Sequence, residues 1–361
     1  MLHVIVRGGP RRLAEVVAEA IAGLGHGLAA ERLVELGGVY HRCGGAPGSR
    51  PLRVLDPTLL VDSDEYVRVH PNPRRYASSA VEWPSRVQFE DEDLIVLDKP
   101  AGIPCCPTVD NIYENVLRSV ITSSKLSQGY LPHRLDTDTS GLMIICKNKN
   151  ACAQVNRLLA TRQITKHYRA VLASEEQALQ SPLNVGQHII SHMLPSSRSP
   201  KIFSKHPYTP PGADKPESVE CLSRVVALTE PRHFVTDEWK RLAARNGSET
   251  GKLQEAVSAW MGERESRGVT LQQVTLELTT GRTHQARGQL SSIGSGCHSS
   301  YHIAGDNIYL GATSVPQEKT DFYRSSPHLA LQASFLSIPL RKGDNPLEFR
   351  LVETFWGPLV A

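Results

Sequence analysis

Nowhere in its 361 residues does the chain hold an apolar run approaching the roughly 18–20 residues that a membrane-spanning helix needs. The longest candidates, such as Gly141 to Cys146, are strand-sized. A soluble protein with no membrane partner is expected. The opening MLHVIVRGGPRRLAEVV has neither a continuous apolar segment nor a small-residue cleavage site, which argues against secretion and leaves a cytoplasmic or organellar location, mitochondrial or plastid. Cysteine is sparse: seven residues, an odd count with no C-x-x-C pair, so a disulfide framework is not expected. Cys297, His298 and His302 come nearest to metal-ligand spacing, but they lack a second ligand pair, and no metal is expected. Phosphate loops and hydrolase elbows are missing too. Gly247 to Lys252 is one residue short of a phosphate loop and is followed by leucine, and neither G-x-G-x-x-G nor G-x-S-x-G occurs.

What is present is a balanced, globular composition. Lys+Arg number 40 against 37 Asp+Glu, and 40% of residues are hydrophobic, enough for one large or two ordinary domains. The charge is unevenly spread. Thr139 to Ser174 holds no acidic residue but six basic ones, and Gln177 to Ala213 and Leu278 to Gly305 are likewise free of acid. Such segments imply a positive face suited to a phosphate backbone, with compensating acid expected in the N-terminal part and in residues 230–268.

Along the chain, residues 11–38 have helical periodicity that stops at Gly37-Gly38. Short strands follow, and a proline-rich stretch places a boundary near residue 80. The expected domains are a small N-terminal module over 1–80 and a larger domain over 86–361, where any catalytic site would have to lie. The latter carries strands at Leu94–Leu97, Leu142–Ile145 and Ile164–Ala173 and a helix over 148–162. An exposed loop is read at 194–218 and a helical insertion at about 230–268. Many strands with scattered helices and no regular β-α alternation favour an α+β fold with a mixed sheet over a doubly wound one.

The sharpest constellation is Pro132-His133-Arg134-Leu135-Asp136-Thr137-Asp138-Thr139-Ser140-Gly141, where an aspartate sits in a turn leading into a strand. From residue types alone, Asp136 is either a carboxylate pointing into a cleft or a turn residue bonding backbone amides, with Arg134 as its surface partner. A Ser140, His284, Asp136 hydrolase lacks the nucleophile elbow.

This stretch resembles the HRLD-x-x-TSG signature of the RluA-type pseudouridine synthases. Five further segments are similar to family motifs in the same order: Phe89 to Gly102, ending in K-P-A-G; Lys166-His-Tyr168-Arg-Ala170; Thr280-Gly-Arg282-Thr-His284-Gln-Ala-Arg287; Gly305-Asp306-x-x-Tyr309; and His328 to Ala333. The resemblance spans about residues 88–340 and implies a mixed, mainly antiparallel central sheet with flanking helices and a catalytic cleft. It implies cofactor-free isomerisation of uridine to pseudouridine in structured ribosomal or transfer RNA, with the target base flipped from its stack. By the same resemblance Asp136 is the catalytic aspartate, Arg287 its basic partner and Tyr168 the residue against the uracil. Arg134, His133, Lys166 and Arg282 are assigned to RNA, and a monomer is expected. Lys99, His284 and Gln285 are read as shaping turns. The N-terminal part faintly resembles the small RNA-binding module often fused to these enzymes, in a degenerate form; the alternative is a structural cap. The rival reading is a catalytically silent RNA-binding or ribosome-assembly protein on the same fold.

Overall fold

In the computed structural model, residues 1–24, 28–44, 49–175, 183–196, 200–229, 269–293, 302–306, 308–309, 329–339 and 345–351 are described. The insertion at 230–268, Cys297, His298 and His328 lie outside them. The chain divides into two compact units, Met1–Val81 with Ile103–Ser123, and Glu82–Gly102 with Ser124–Ala361.

In the first unit, the helical periodicity of residues 11–38 resolves into a two-residue strand and two short helices. The elements are β1 (Leu2–Ile5), β2 (Arg11–Arg12), α1 (Leu13–Ile21), α2 (Ala30–Glu35), β3 (Val39–Arg42), β4 (Leu52–Val54), β5 (Leu60–Val61) and β6 (Tyr66–Val69). β1, β6, β3 and β4 form an antiparallel four-stranded sheet in that order. Period-two alternation sends Val39, Val67 and Val69 inward, where they meet Leu13, Val16, Val17, Leu33 and Val34 of the helices. Gly37 ends the helical stretch at φ +81°, a conformation that favours glycine.

Residues 103–123, read from sequence as part of the catalytic domain, pack with this first unit. Polar contacts explain it. The Arg75 guanidinium donates to the Glu114 carboxylate (Nε to Oε1, 2.9 Å), Arg74 pairs with Asp110, and the Tyr40 hydroxyl donates to Val109 O at 2.9 Å. Helix α4 (Val116–Ser123) buries Val116 and Val120. Acid is not in excess here: residues 1–81 hold ten arginines against eight carboxylates, so the compensating acid expected in this part is absent.

The second unit is built on α3 (Trp83–Arg86), β7 (Val87–Glu90), β8 (Leu94–Lys99), β9 (Ser140–Cys146), α5 (Lys149–Ala160), β10 (Thr165–Glu175), β11 (His188–Met193), β12 (Phe203–Ser204), β13 (Val219–Thr229), β14 (Val269–Leu278), α6 (Gln285–Ser292), β15 (His302–Ile303), β16 (Leu331–Ile338) and β17 (Leu347–Arg350). One sheet of eleven strands runs β12-β11-β13-β14-β10-β16-β9-β8-β7, with β15 paired to β10 and β17 to β16. Every pairing is antiparallel except β16 with β9. The fold is α+β on a mixed, mainly antiparallel sheet.

Two details of this sheet position the site. Gly141 has φ +112°, and a Cβ there would lie 2.2 Å from Ala333 O, so only glycine lets β9 begin against β16. Opposite this part of β10 the strand β16 carries one extra residue: the register passes from His167–Phe335 to Tyr168–Ala333, so Ser334 has no partner in that ladder and the bulge bends β16 beside the tyrosine. The segment 194–218, read as an exposed loop, contains β12. Its Phe203 ring occupies the space beside Gly288 of α6 where a Cβ would stand, because an aromatic side chain finds apolar cover there.

Candidate active site

A cavity of about 460 Å³ opens among the loop before β9, the strand β10 and the turn from β14 into α6. Its lining includes Arg134, Asp136, Lys166, Tyr168, His284 and Arg287, with His133 and Arg282 alongside. All seven residues singled out from sequence as catalytic or RNA-contacting therefore line one concavity.

The turn carrying Asp136 is held from behind. Lys99, at the end of β8, is fully buried, and its Nζ donates to Pro100 O and Thr137 O, each at 2.8 Å. Gly102 N–H also donates to Thr137 O, at 2.9 Å. His133 anchors the other side, its Nε2 accepting the Ile144 N–H at 3.0 Å. This bond fixes the proton on Nδ1. Burial pushes the His133 pKa down to about 3, with the Lys166 charge adding to the effect. One ring nitrogen of His133 is therefore committed to the scaffold. Leu135 is buried, while Arg134 is exposed and Asp136 half-buried, its side chain 18% exposed: a carboxylate that is fixed yet reachable.

On β10, alternation puts Lys166, Tyr168 and Ala170 on one face. Burial pushes the Lys166 pKa down, so part of the cavity wall is a cation with little hydration.

The T-G-R-T-H-Q-x-R stretch is a strand-to-helix turn tied by its glutamines. Gln285 Oε1 accepts the Thr280 hydroxyl (2.8 Å) and the Arg282 N–H (3.1 Å), and its Nε2 donates to Leu222 O (3.0 Å). Gln289, fully buried, donates to Ile189 O and Cys221 O, each at 3.1 Å. Gln285 thus shapes the turn, as expected from sequence.

His284 does more. It occupies the left-handed region at φ 56°, the N-cap of α6, a conformation that costs about 1 kcal/mol or more for a non-glycine residue. Its ring faces the carboxylate: Nε2 lies 3.7 Å from Asp136 Oδ1. The Tyr309 hydroxyl oxygen accepts the Lys201 N–H at 3.1 Å and lies 3.3 Å from His284 Nδ1. The carboxylate facing Nε2 favours the tautomer with its proton there, which leaves Nδ1 to accept the phenol proton of Tyr309. Burial pushes the Tyr309 pKa up to about 12, keeping that proton in place. Burial also lowers the His284 pKa, against the opposing pull of Asp136, so the ring is neutral near pH 7.

Arg287 lies 3% exposed, its Nη1 3.7 Å from Asp136 Oδ2. Its hydrogen bonds go elsewhere. Nε donates to Asp306 Oδ2 at 2.8 Å and Nη2 to Asp306 Oδ1 at 2.6 Å, a bidentate pair with both side chains buried. Burial alone would lower the Arg287 pKa; the bonds to Asp306 and the charges of Asp306, Asp136 and Asp138 raise it instead. The cation is permanent. Arg134, Arg162 and Arg282 stand exposed at the rim, none in an ion pair among the described residues. Sequence reading missed His284 and Asp306 as participants and Arg162 as a rim cation. The first two were visible only as motif members, and Arg162 only as one of six bases in an acid-free stretch.

Among the described residues one group approaches metal-ligand spacing, His41, Cys43 and Glu65 in the first unit. Glu65 Oε2 lies 2.8 Å from His41 Nε2, whereas Cys43 Sγ lies 4.0 Å from Nδ1. The ligand atoms of the three side chains lie within 4.8 Å of one another. No helix among the described residues is long and apolar enough to cross a membrane.

The family model described as RNA pseudouridylate synthase matches residues 93–292. The chain is 25% identical over 268 residues to "RNA pseudouridine synthase 6, chloroplastic" of Arabidopsis thaliana, covering 73% of this chain and 48% of that protein. It is 28% identical over 300 residues to "Ribosomal large subunit pseudouridine synthase D" of Zymomonas mobilis, covering 80% and 75%. Of solved structures, human RNA pseudouridylate synthase domain containing 4 gives a TM-score of 0.48 at 18% identity, over 77% of this chain and 93% of that one. The chain spans about half the length of the first plant relatives it matches. With the family model covering more than half of its residues, including the loop of Asp136 and the turn of Arg287, the chain belongs to the RluA-type branch of the RNA pseudouridylate synthase family.

Proposed function

We propose that the protein isomerises uridine to pseudouridine in a structured RNA. The observation that carries this reading is a reachable carboxylate, Asp136, on a scaffolded turn inside a cavity walled by Tyr168 and floored by a buried guanidinium. The reaction breaks the bond from N1 to ribose C1′, turns the uracil, joins C5 to the same carbon and moves the C5 proton to solvent as N1 gains one. No electron is exchanged, so the residues need only hold a base, steady charge and move protons.

Asp136 acts on the ribose as an anion, by attack at C1′ or by taking a proton at C2′. Arg287 offsets its charge without binding it so tightly that it loses basicity: at 3.7 Å the pair is attractive but not hydrogen-bonded. His284, proton on Nε2, is a donor held within reach of the same carboxylate. Tyr168 offers a ring to the flipped uracil. Unstacking costs a few kcal/mol, offset by this stacking and by Arg134, Arg162, Arg282 and Lys166 meeting phosphates. Arg134, exposed beside Asp136, fits the place of the departed base in the RNA stack.

A ribosomal RNA is the preferred substrate, because relatives bear the name ribosomal large subunit pseudouridine synthase D. An organellar compartment agrees with the chloroplastic and mitochondrial names of others. Mapping carbodiimide-resistant adducts across total RNA, with and without the protein, tests the function. Adducts that depend on the protein and on Asp136 support it; RNA binding with no adduct favours the silent assembly factor.

A further inference from the structure

At one end of the four-stranded sheet the inward row of side chains changes character. β3 buries Val39 and His41 at alternate positions and β6 buries Val67 and Val69, while Arg42 and Arg68 alternate to the other face. Arg42 is paired with Tyr66, so one further step of the antiparallel register sets Cys43 opposite Glu65. Valine gives way there to an imidazole, a thiol and a carboxylate.

The group is close enough to converge. One ligand atom of each side chain, an imidazole nitrogen, the sulfur and a carboxylate oxygen, lies within 4.8 Å of the others. A tetrahedral zinc ion with ordinary bond lengths sets such atoms about 3.3–3.6 Å apart. The 2.8 Å between His41 Nε2 and Glu65 Oε2 therefore opens by about half an ångström, and the sulfur closes by no more than about an ångström. Cys43 is placed to make that adjustment, because it lies exposed, just beyond β3. The other two ligands are held. His41 is 7% exposed, and Glu65 Oε2 also accepts the Asp62 N–H at 2.9 Å, a bond that orients the carboxylate. Glu65 with His41 and Asp62 would suffice to close the turn before β6; a thiol is not needed for that.

We infer that His41, Cys43 and Glu65 form a zinc site, with water completing the tetrahedron on the exposed side of Cys43. Thiolate and imidazole suit zinc, whereas magnesium and calcium demand oxygen ligands in larger number. Thiolate and carboxylate together balance the charge of the dication, which permits it at the half-buried end of a sheet. On binding, the thiol proton leaves to solvent and a sulfur–zinc bond forms in its place, with no change of oxidation state. Bound there, the ion ties the end of β3 to the turn before β6 and stabilises the first unit. It takes no part in the proposed uridine reaction.

Cobalt(II), which replaces zinc in tetrahedral sites and is coloured, tests this in the full-length, reduced protein after chelation and removal of the chelator. One equivalent should give visible tetrahedral bands and a near-ultraviolet thiolate-to-cobalt band, both displaced by zinc. Cys43→Ser should lose the thiolate band, and Glu65→Gln, which keeps an acceptor for the Asp62 N–H, should weaken cobalt binding at least about 10-fold. Cys106→Ser, a half-buried thiol elsewhere, should behave as the parent does. Excess zinc should raise the parent's melting temperature by about 3 °C or more and leave that of Cys43→Ser unchanged. Magnesium should do neither. A parent without a thiolate band, a band that survives in Cys43→Ser, or a zinc shift equal in the two proteins overturns the inference and leaves a hydrogen-bonded turn. Since every readout is metal binding or melting, absence of pseudouridine product would reject the enzymatic reading and leave this site standing.

Discussion

Arg287 gives its two-pronged hydrogen bond to Asp306 and only its electric field to Asp136. Two carboxylates thus share one guanidinium unequally, one bonded at 2.6 and 2.8 Å and buried, the other 3.7 Å away and reachable. The arrangement separates two tasks. Asp306 fixes where the cation is, and Asp136 keeps its lone pairs free of hydrogen bonds from Arg287, which the proposed reaction on ribose requires.

Removing the fixing partner is expected to be costly. Asp306→Ala leaves a buried guanidinium with one distant counter-charge, and loss of one member of a buried pair typically costs about 3–5 kcal/mol. Urea unfolding should show that loss. The milder Asp306→Asn, which can still accept one hydrogen bond from Arg287, should fold and lose turnover more than RNA affinity. If Asp306→Asn turns over RNA as the parent does, Asp306 does not position the cation.

His133 predicts a pH effect on stability. Its folded pKa, about 3, lies below the unfolded value of about 6.5, so the unfolded chain binds the extra proton first. The contribution is complete above pH 6.5 and is lost as pH falls toward 3, amounting to about 1 kcal/mol by pH 5.5. His133→Gln, whose side-chain oxygen can also accept the Ile144 N–H, should flatten the dependence in that window. An unchanged slope would mean that the ring is free to protonate.

Gly141→Ala should be among the most damaging small substitutions. The added methyl group meets Ala333 O at 2.2 Å, and φ +112° disfavours any side chain. Neither obstacle is a movable side chain, so β9 must part from β16 and carry the Asp136 turn with it. Soluble yield and melting temperature should both drop; a variant with parental melting behaviour would contradict the close approach.

Much of this was legible in the sequence because it is local. Asn148, at the start of the 148–162 periodicity, caps α5 by accepting the Ala151 N–H, and the alternation at Val274, Leu276 and Leu278 places those residues in the core. The aspartate turn, the tyrosine strand and the arginine turn each carried a motif. What stayed hidden is long-range. Nothing near Gly141 announces that its neighbour is Ala333, and Asp306 gives no sign that it holds Arg287. Residues 103–123 carry few signals of their own, and their packing with the first unit depends on Arg74 and Arg75, about 40 positions earlier. His284 was legible as a turn residue but not as a neighbour of Asp136, because only the left-handed backbone at that position turns the ring inward.

The most direct measurement uses RNA transcribed with uridine tritiated at C5. Joining C5 to the ribose expels that hydrogen, so each turnover releases one triton to water. The parent protein should release tritium from RNA bearing its site, while Asp136→Asn should bind the same RNA within about 3-fold and release none above background. Release by Asp136→Asn at the parental rate would contradict the account.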